Sequence, residues 1–176
     1  EEWLAELDAS NTSWLAIESK PGAGKTSLIH AGILPRLSAL PQFNATSWVE
    51  TILIDLNNVD SIAAFKEHCL DPLIEKGIVK TAKRDQFGLD IVICDKVSSL
   101  QGLLQGKQSQ YVAIVVDHLD KVFKNKTLEP LIVSLINCFL SSQRYLLITA
   151  LDERRHHYLC HLIEQYDTAQ LLRLPE

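Results

Sequence analysis

The chain has 176 residues, 47% of them hydrophobic, with 17 Lys plus Arg against 22 Asp plus Glu and a formal charge of -5. That length predicts one globular domain, 1–176, with enough residues to bury a core, and the charge balance, with no basic block long enough to track a phosphate backbone, offers no support for a nucleic-acid partner. No apolar run approaches the ~20 residues of a membrane span and the start Glu1-Glu2-Trp3 lacks signal-peptide character, so a cytoplasmic protein is expected.

Four cysteines, Cys69, Cys94, Cys138 and Cys160, lie far apart without a C-x-x-C pair and read as reduced thiols. Methionine is absent, position 1 included, so the chain is expected to begin inside a longer polypeptide.

Trp3, Leu4 and Leu7 have helical spacing in a short acidic segment, and Asn11-Thr12-Ser13 form a polar break before the first apolar run, Trp14-Leu15-Ala16-Ile17. That run reads as a strand. It feeds Ser19-Lys20-Pro21-Gly22-Ala23-Gly24-Lys25-Thr26-Ser27, in which glycines allow backbone N–H groups to converge on an anion before a helix begins near Lys25 and points its positive end at the same place. The pattern matches the Walker A motif G-x-x-x-x-G-K-[ST], with Ser19 standing where the first glycine usually does. Ser19 is expected to turn out of the strand without glycine's freedom at positive φ. Ser19 through Ser27 are therefore the candidate phosphate cradle, with Lys25 reaching the outer phosphates and the Thr26 hydroxyl assigned to Mg²⁺.

The helix from Lys25 is expected to stop at about Leu34, because Pro35 has no N–H to continue it. A loop over Pro41 to Ser47 precedes a second strand, Trp48 to Leu56, apolar enough to be covered on both faces. Asp60 or Ser61 can cap a helix carrying Ile62, Phe65, Cys69 and Leu73 on one face. Asp71-Pro72 either kinks it or marks a stop and restart, with the end at Gly77. Phe87, Ile91, Cys94, Val97, Leu100 and Leu104 fit an amphipathic helix, although Ile91-Val92-Ile93 alone would suit a strand.

Tyr111 to Val116 is an unbroken β-prone run that ends in Asp117, the form of a Walker B strand. A carboxylate there can hold Mg²⁺ opposite Thr26, and it is expected on a strand neighbouring the first. Asp120, three residues on, is placed to orient or deprotonate an attacking water. Thr127 to Ser142 reads as a helix with Pro130 in its first turn. Tyr145 to Thr149 is the next strand, and Thr149 at its end is the third candidate catalytic residue beside Lys25 and Asp120.

Asn125-Lys126-Thr127-Leu128 resembles the N-K-x-D guanine reader, but Leu128 takes the place of the Asp that would accept from the base, which disfavours GTP. Glu153 to Gln165 reads as a helix and Ala169 to Leu174 as a last strand. His156, His157, Cys160 and His161 put metal-ligand types on that helix, and a zinc site is weighed against the favoured reading, a polar face with one buried thiol. Alternation of strands and helices predicts an α/β fold: a three-layer α/β/α P-loop NTPase core with a mainly parallel five-stranded sheet.

Two stretches carry a resemblance to a family. Gly22-Ala23-Gly24-Lys25-Thr26-Ser27-Leu28-Ile29-His30-Ala31-Gly32-Ile33-Leu34-Pro35 is similar to the G-K-[ST]-S-L and A-G-L-L-P of novel STAND P-loop NTPases. Val115-Val116-Asp117-His118-Leu119-Asp120-Lys121-Val122-Phe123 resembles their V-V-D-Q-F-E-E-L-F, and also the D-G-L-D-E of the related NACHT group.

The resemblance implies an ATP/ADP switch with Mg²⁺, further lid, sensor and effector domains in the same polypeptide, assembly into a homo-oligomer on activation, and signalling roles that include anti-phage defence. Asp117 and Asp120 fall on its metal-binding and catalytic acidic positions. Asp120 is shorter than the usual Glu, Lys121 replaces a second acid, and Leu151 occupies a place where Arg commonly follows the sensor strand. These departures imply slow turnover. They leave open a regulatory module that binds nucleotide with negligible hydrolysis, and more distantly a small-molecule kinase.

Overall fold

The computed structural model describes residues 13–39, 47–76, 110–140, 145–164 and 169–174. The helix expected from Phe87 to Leu104, the segment around Trp3, most of the Pro41 loop and the helix end expected at Gly77 lie outside them. Five strands, β1 (Trp14–Ser19), β2 (Ser47–Asp55), β3 (Gln110–Asp117), β4 (Tyr145–Asp152) and β5 (Ala169–Arg173), form one sheet in the order β2-β3-β4-β1-β5. Every pairing is parallel. The fold is α/β, as the alternation predicted.

Both faces of the sheet are covered, which is why the strands read as continuous apolar runs. Leu15, Ile17, Val115, Leu146 and Ile148 pack on one face against Ile29, Ile33 and Leu37. Those three belong to helix α1, made of Lys25–Ser27, Leu28–Ile33 and Leu34–Ala39 in succession. Trp14, Ile54, Ile114 and Leu147 pack on the other face against two helices. These are α2, made of Ile62–Phe65, Lys66–Leu70 and Asp71–Glu75, and α4 (Glu129–Leu140).

The segregation follows from handedness. The connection from β1 to β2 crosses the sheet in one direction, while β2 to β3, β3 to β4 and β4 to β5 move in the other. Right-handed crossovers therefore put α1 on one face and the later helices on the opposite one. Between β3 and α4 lies a short helix, α3 (Leu119–Val122), and after β4 come a 3₁₀ turn, Glu153–Arg155, and helix α5 (His156–Ile163).

Four expectations are corrected. Helix α1 does not stop at Leu34: it passes Pro35 and reaches Ala39. In the two described helices that carry a proline beyond their first turn, the turn before it is π-helical, with Leu34 N–H bonded to Ile29 O and Asp71 N–H to Lys66 O, five residues back. The wider turn moves backbone away from the pyrrolidine ring, which in a regular helix would meet the carbonyl four residues earlier. Asp71-Pro72 accordingly does not stop the helix and restart it from an Asp71 cap. Ser61 is the cap of α2, its Oγ accepting from Ala64 N at 3.2 Å.

Strand β4 runs three residues beyond Thr149, to Asp152. Lastly, β3 is not next to β1, because β4 lies between them. The strand expected to neighbour β1 is one place removed.

Candidate functional site

The carboxyl ends of the strands line up along one rim of the sheet. Asp55 pairs in register with Asp117, and Ser19 with Asp152. In a parallel sheet this is the rim on which ligands bind, and the loop leaving β1 rises from it.

Gly22 and Gly24 have φ of 83° and 85°, the left-handed region, and a Cβ built at either would meet nothing within 4 Å. Backbone conformation and not crowding therefore selects glycine there, and the space beside both is open. No side chain caps the start of α1 at Gly24, and the first N–H groups of a helix have no acceptor within the helix itself. Ser19 has no positive φ, as expected, but the turn falls after it: it is still the last residue of β1 and is 2% exposed. Its Oγ accepts from Lys25 Nζ at 3.0 Å.

Lys25 Nζ also donates to Ser19 O at 2.9 Å and Lys20 O at 3.0 Å, so all three ammonium donors close the loop on itself. A cleft of about 460 Å³ opens beside the loop, lined by Gly22, Gly24, Lys25, Thr26, Asp117 and Asp120 among others. Pro21 and Ser27 also line it, whereas Ser19, Lys20 and Ala23 do not.

Asp117 is 2% exposed. Its Oδ1 accepts from His118 N at 2.8 Å, but Oδ2 is buried without a hydrogen-bond partner. A buried carboxylate oxygen left this way is costly unless a cation or a donor meets it. The residues present thus fit a divalent cation of the Mg²⁺ type, which Asp117 and the Thr26 hydroxyl, both lining the cleft, would hold. Asp120 is 9% exposed at the first turn of α3, with Lys124 Nζ 3.9 Å away.

His118, between the two acids, has φ of 59°, an uncommon conformation for a residue with a Cβ. Its Nδ1 lies 2.9 Å from Asp55 Oδ1 and 3.6 Å from Asp117 Oδ2. The imidazole therefore ties the end of β2 to the end of β3.

Thr149 is placed differently from the expectation. It is fully buried inside β4, and its Oγ1 accepts from Trp14 Nε1 at 3.0 Å, a bond between β4 and β1 beneath the rim. The end of β4 belongs instead to Asp152, which lines the cleft together with Arg154. Arg154 donates through Nε to Asp152 Oδ1 and Oδ2, each at 3.0 Å, and through a second guanidinium nitrogen to Oδ2. That clamp, with the Arg154 backbone N–H, pulls the Asp152 carboxyl down to about 2 against burial that acts the other way.

Sequence reading missed both residues because it ended the strand at the polar Thr149. The signal available was the apolar pair Ala150-Leu151 before Asp152, which extends the run. An arginine does follow this strand, three residues after Leu151.

The other weaker signals resolve into structure. Asn125 is used locally: its Oδ1 accepts from Thr127 N and its Nδ2 donates to Asp60 O, both at 3.0 Å, and Leu128 is buried in the core. Among the described residues no three His, Cys, Asp or Glu side chains converge as a metal cage. On α5 the side chains that meet are His156 and Cys160, whereas His157 lies against the Tyr158 ring.

The family model for Novel STAND NTPase 1 matches residues 1–173. No curated protein sequence matches the chain. In fold the chain is similar to the Orc1 protein of Aeropyrum pernix solved in complex with DNA (TM-score 0.62, 15% identity, covering 99% of this chain and 44% of that one). It is likewise similar to the Walker-type ATPase of Pyrococcus abyssi (0.51, 14%, covering 97% and 51%), and to Drosophila ORC bound to DNA (0.53, 14%, covering 98% and 40%). The chain spans about half or less of each of these proteins. At such identities the likeness is one of fold alone.

Proposed function

Because the chain belongs to the Novel STAND NTPase 1 family, P-loop NTPases whose membership implies nucleotide binding, we propose that it is the ATP-binding, slowly hydrolysing switch of a larger signalling protein. The observation that carries this reading is the convergence on one cleft of the open glycine loop, the uncapped start of α1, the unpartnered Asp117 Oδ2 and the buried Asp120. Loop amides and Lys25 bind the phosphates of ATP or ADP. Thr26 and Asp117 hold Mg²⁺, which when bound neutralises charge on the transferred phosphoryl group.

Asp120 accepts a proton from, or orients, the attacking water. Lys124 Nζ, 3.9 Å from Asp120 Oδ2, pairs with it one helical turn on. Thr149 supports the site from below by holding β4 to β1 through Trp14, and Asp152 fixes Arg154 at the mouth. Guanine specificity is unsupported, since Asn125 and Leu128 serve the fold.

The departures from the family's acids and the Asp152–Arg154 clamp favour a second reading, a module that binds nucleotide with negligible hydrolysis. An arginine already paired with a carboxylate contributes less positive charge to a phosphate. The output is then conformational: it extends only as far as ATP and ADP differ in affinity for two states. Residues 1–176 act as one NTPase domain alongside lid and effector parts of the same polypeptide, assembling with further copies on activation. Infection sensing, as in relatives, is the biological setting that the family supports.

Phosphate release from the whole protein separates the two readings. With Asp120→Asn, a hydrolysing switch loses about 100-fold or more of its rate while retaining nucleotide. Equal, near-background rates for both proteins identify the binding module.

A further inference from the structure

None of Glu18, His156 and Cys160 lines the cleft, yet the three form a connected series. Cys160 Sγ lies 2.6 Å from His156 Nε2, one helical turn earlier on α5. His156 Nδ1, on the other edge of the ring, lies 2.8 Å from Glu18 Oε1. Glu18 is 2% exposed in β1, and its second oxygen accepts from Arg173 Nε at 3.0 Å. Oε1 and Nδ1 are within ion-pair distance, and neither atom has a hydrogen-bond partner.

We propose that Cys160 is a nucleophilic thiol served by His156 and Glu18, and a site of covalent modification by hydroperoxides. The donors are strung along a line, on opposite edges of one imidazole, and do not converge on a point. That is the arrangement of a proton relay and not of a metal cage. Arg173 fixes the carboxylate, the carboxylate facing Nδ1 favours the tautomer with its proton there, and Nε2 is left as the acceptor for the thiol.

The chemistry balances with the peroxide as the oxidant. The S–H proton passes to His156 Nε2, and the thiolate attacks one peroxide oxygen. An S–O bond forms as the O–O bond breaks, and the departing hydroxide takes the proton from the imidazolium to leave as water. Sulfur is oxidised to a sulfenic acid and the peroxide is reduced.

Cys160 is partly exposed, as this requires, whereas Cys69 is enclosed in the core, where burial pushes its thiol up. Cys69 is thus an internal reference for folding.

The test is dimedone trapping and peptide mass mapping of the whole protein during treatment with limiting hydrogen peroxide. The adduct is expected on Cys160 at least about tenfold faster than on glutathione under the same conditions, with Cys69 unlabelled. His156→Gln should lower the Cys160 rate by about tenfold without exposing Cys69, and Glu18→Gln by a smaller factor. A Cys160 rate no greater than that of glutathione overturns the proposal and requires no variant. So does a rate unchanged in His156→Gln.

Discussion

Lys25 holds the loop that precedes it by three hydrogen bonds to Ser19 and Lys20, so phosphates must compete with backbone carbonyls for its ammonium. Beside it, Gly22 and Gly24 bear on stability through φ alone. Gly24→Ala is expected to cost about 1–2 kcal/mol in urea denaturation although no atom stands in the way of the new methyl group. Thr149 makes an opposite case. Thr149→Val leaves the Trp14 indole N–H buried without an acceptor, and should cost about 1–3 kcal/mol while phosphate release per folded molecule is unchanged. A collapse of the rate without loss of stability would return Thr149 to the chemistry.

The Asp152–Arg154 clamp adds a pH signature. The folded-state value of Asp152, about 2, lies below its ordinary 3.8, so ionised Asp152 favours the folded state. That contribution is complete above 3.8 and is lost as pH falls through about 2. Arg154→Ala should therefore lower the urea midpoint near neutrality, and the gap to the parent should close between those two values. A gap that is constant with pH would mean that the clamp contributes nothing through Asp152.

Among the elements, the strands were the most legible, because parallel strands covered on both faces leave continuous apolar runs such as Leu146 to Ile148. Helix ends were less so. Pro35 and Pro72 are strong stop signals by themselves, but a stop signal says nothing of the turn before it, and a π turn accommodates the ring. A proline in an ordinary helix interior costs about 3 kcal/mol. Pro72→Ala is accordingly expected to stabilise by less than about 1 kcal/mol, since the strain is already relieved. A gain near 3 kcal/mol on urea denaturation would refute that explanation.

The end of β4 was misread for another reason. Thr149 is polar yet fully buried, its hydroxyl satisfied by Trp14, a partner 135 residues away that no local pattern reveals. With the strand three residues longer, Asp152 and Arg154 come to the cleft.

On the scale of the whole molecule, the class of fold and the loop-to-helix anion site could be read from composition, alternation and the Ser19–Ser27 motif. Strand order could not. Placing β4 between β1 and β3 depends on long-range pairing, and only that order brings Asp152 to the rim between Ser19 and Asp117. Family membership supports nucleotide binding, and one cleft joins the Gly22–Gly24 loop to Asp117 across an intervening strand.

The most direct test of that claim is the melting temperature of the protein with MgATP or MgADP, compared with Lys25→Ala and Asp117→Asn. At ligand about 100 times its Kd the parent should gain about 2.7 kcal/mol of stability, seen as a rise of several degrees. Lys25→Ala should lose that rise, and Asp117→Asn should lose the part that depends on Mg²⁺. No rise in the parent, or an equal rise in Lys25→Ala, would contradict a nucleotide site in this cleft.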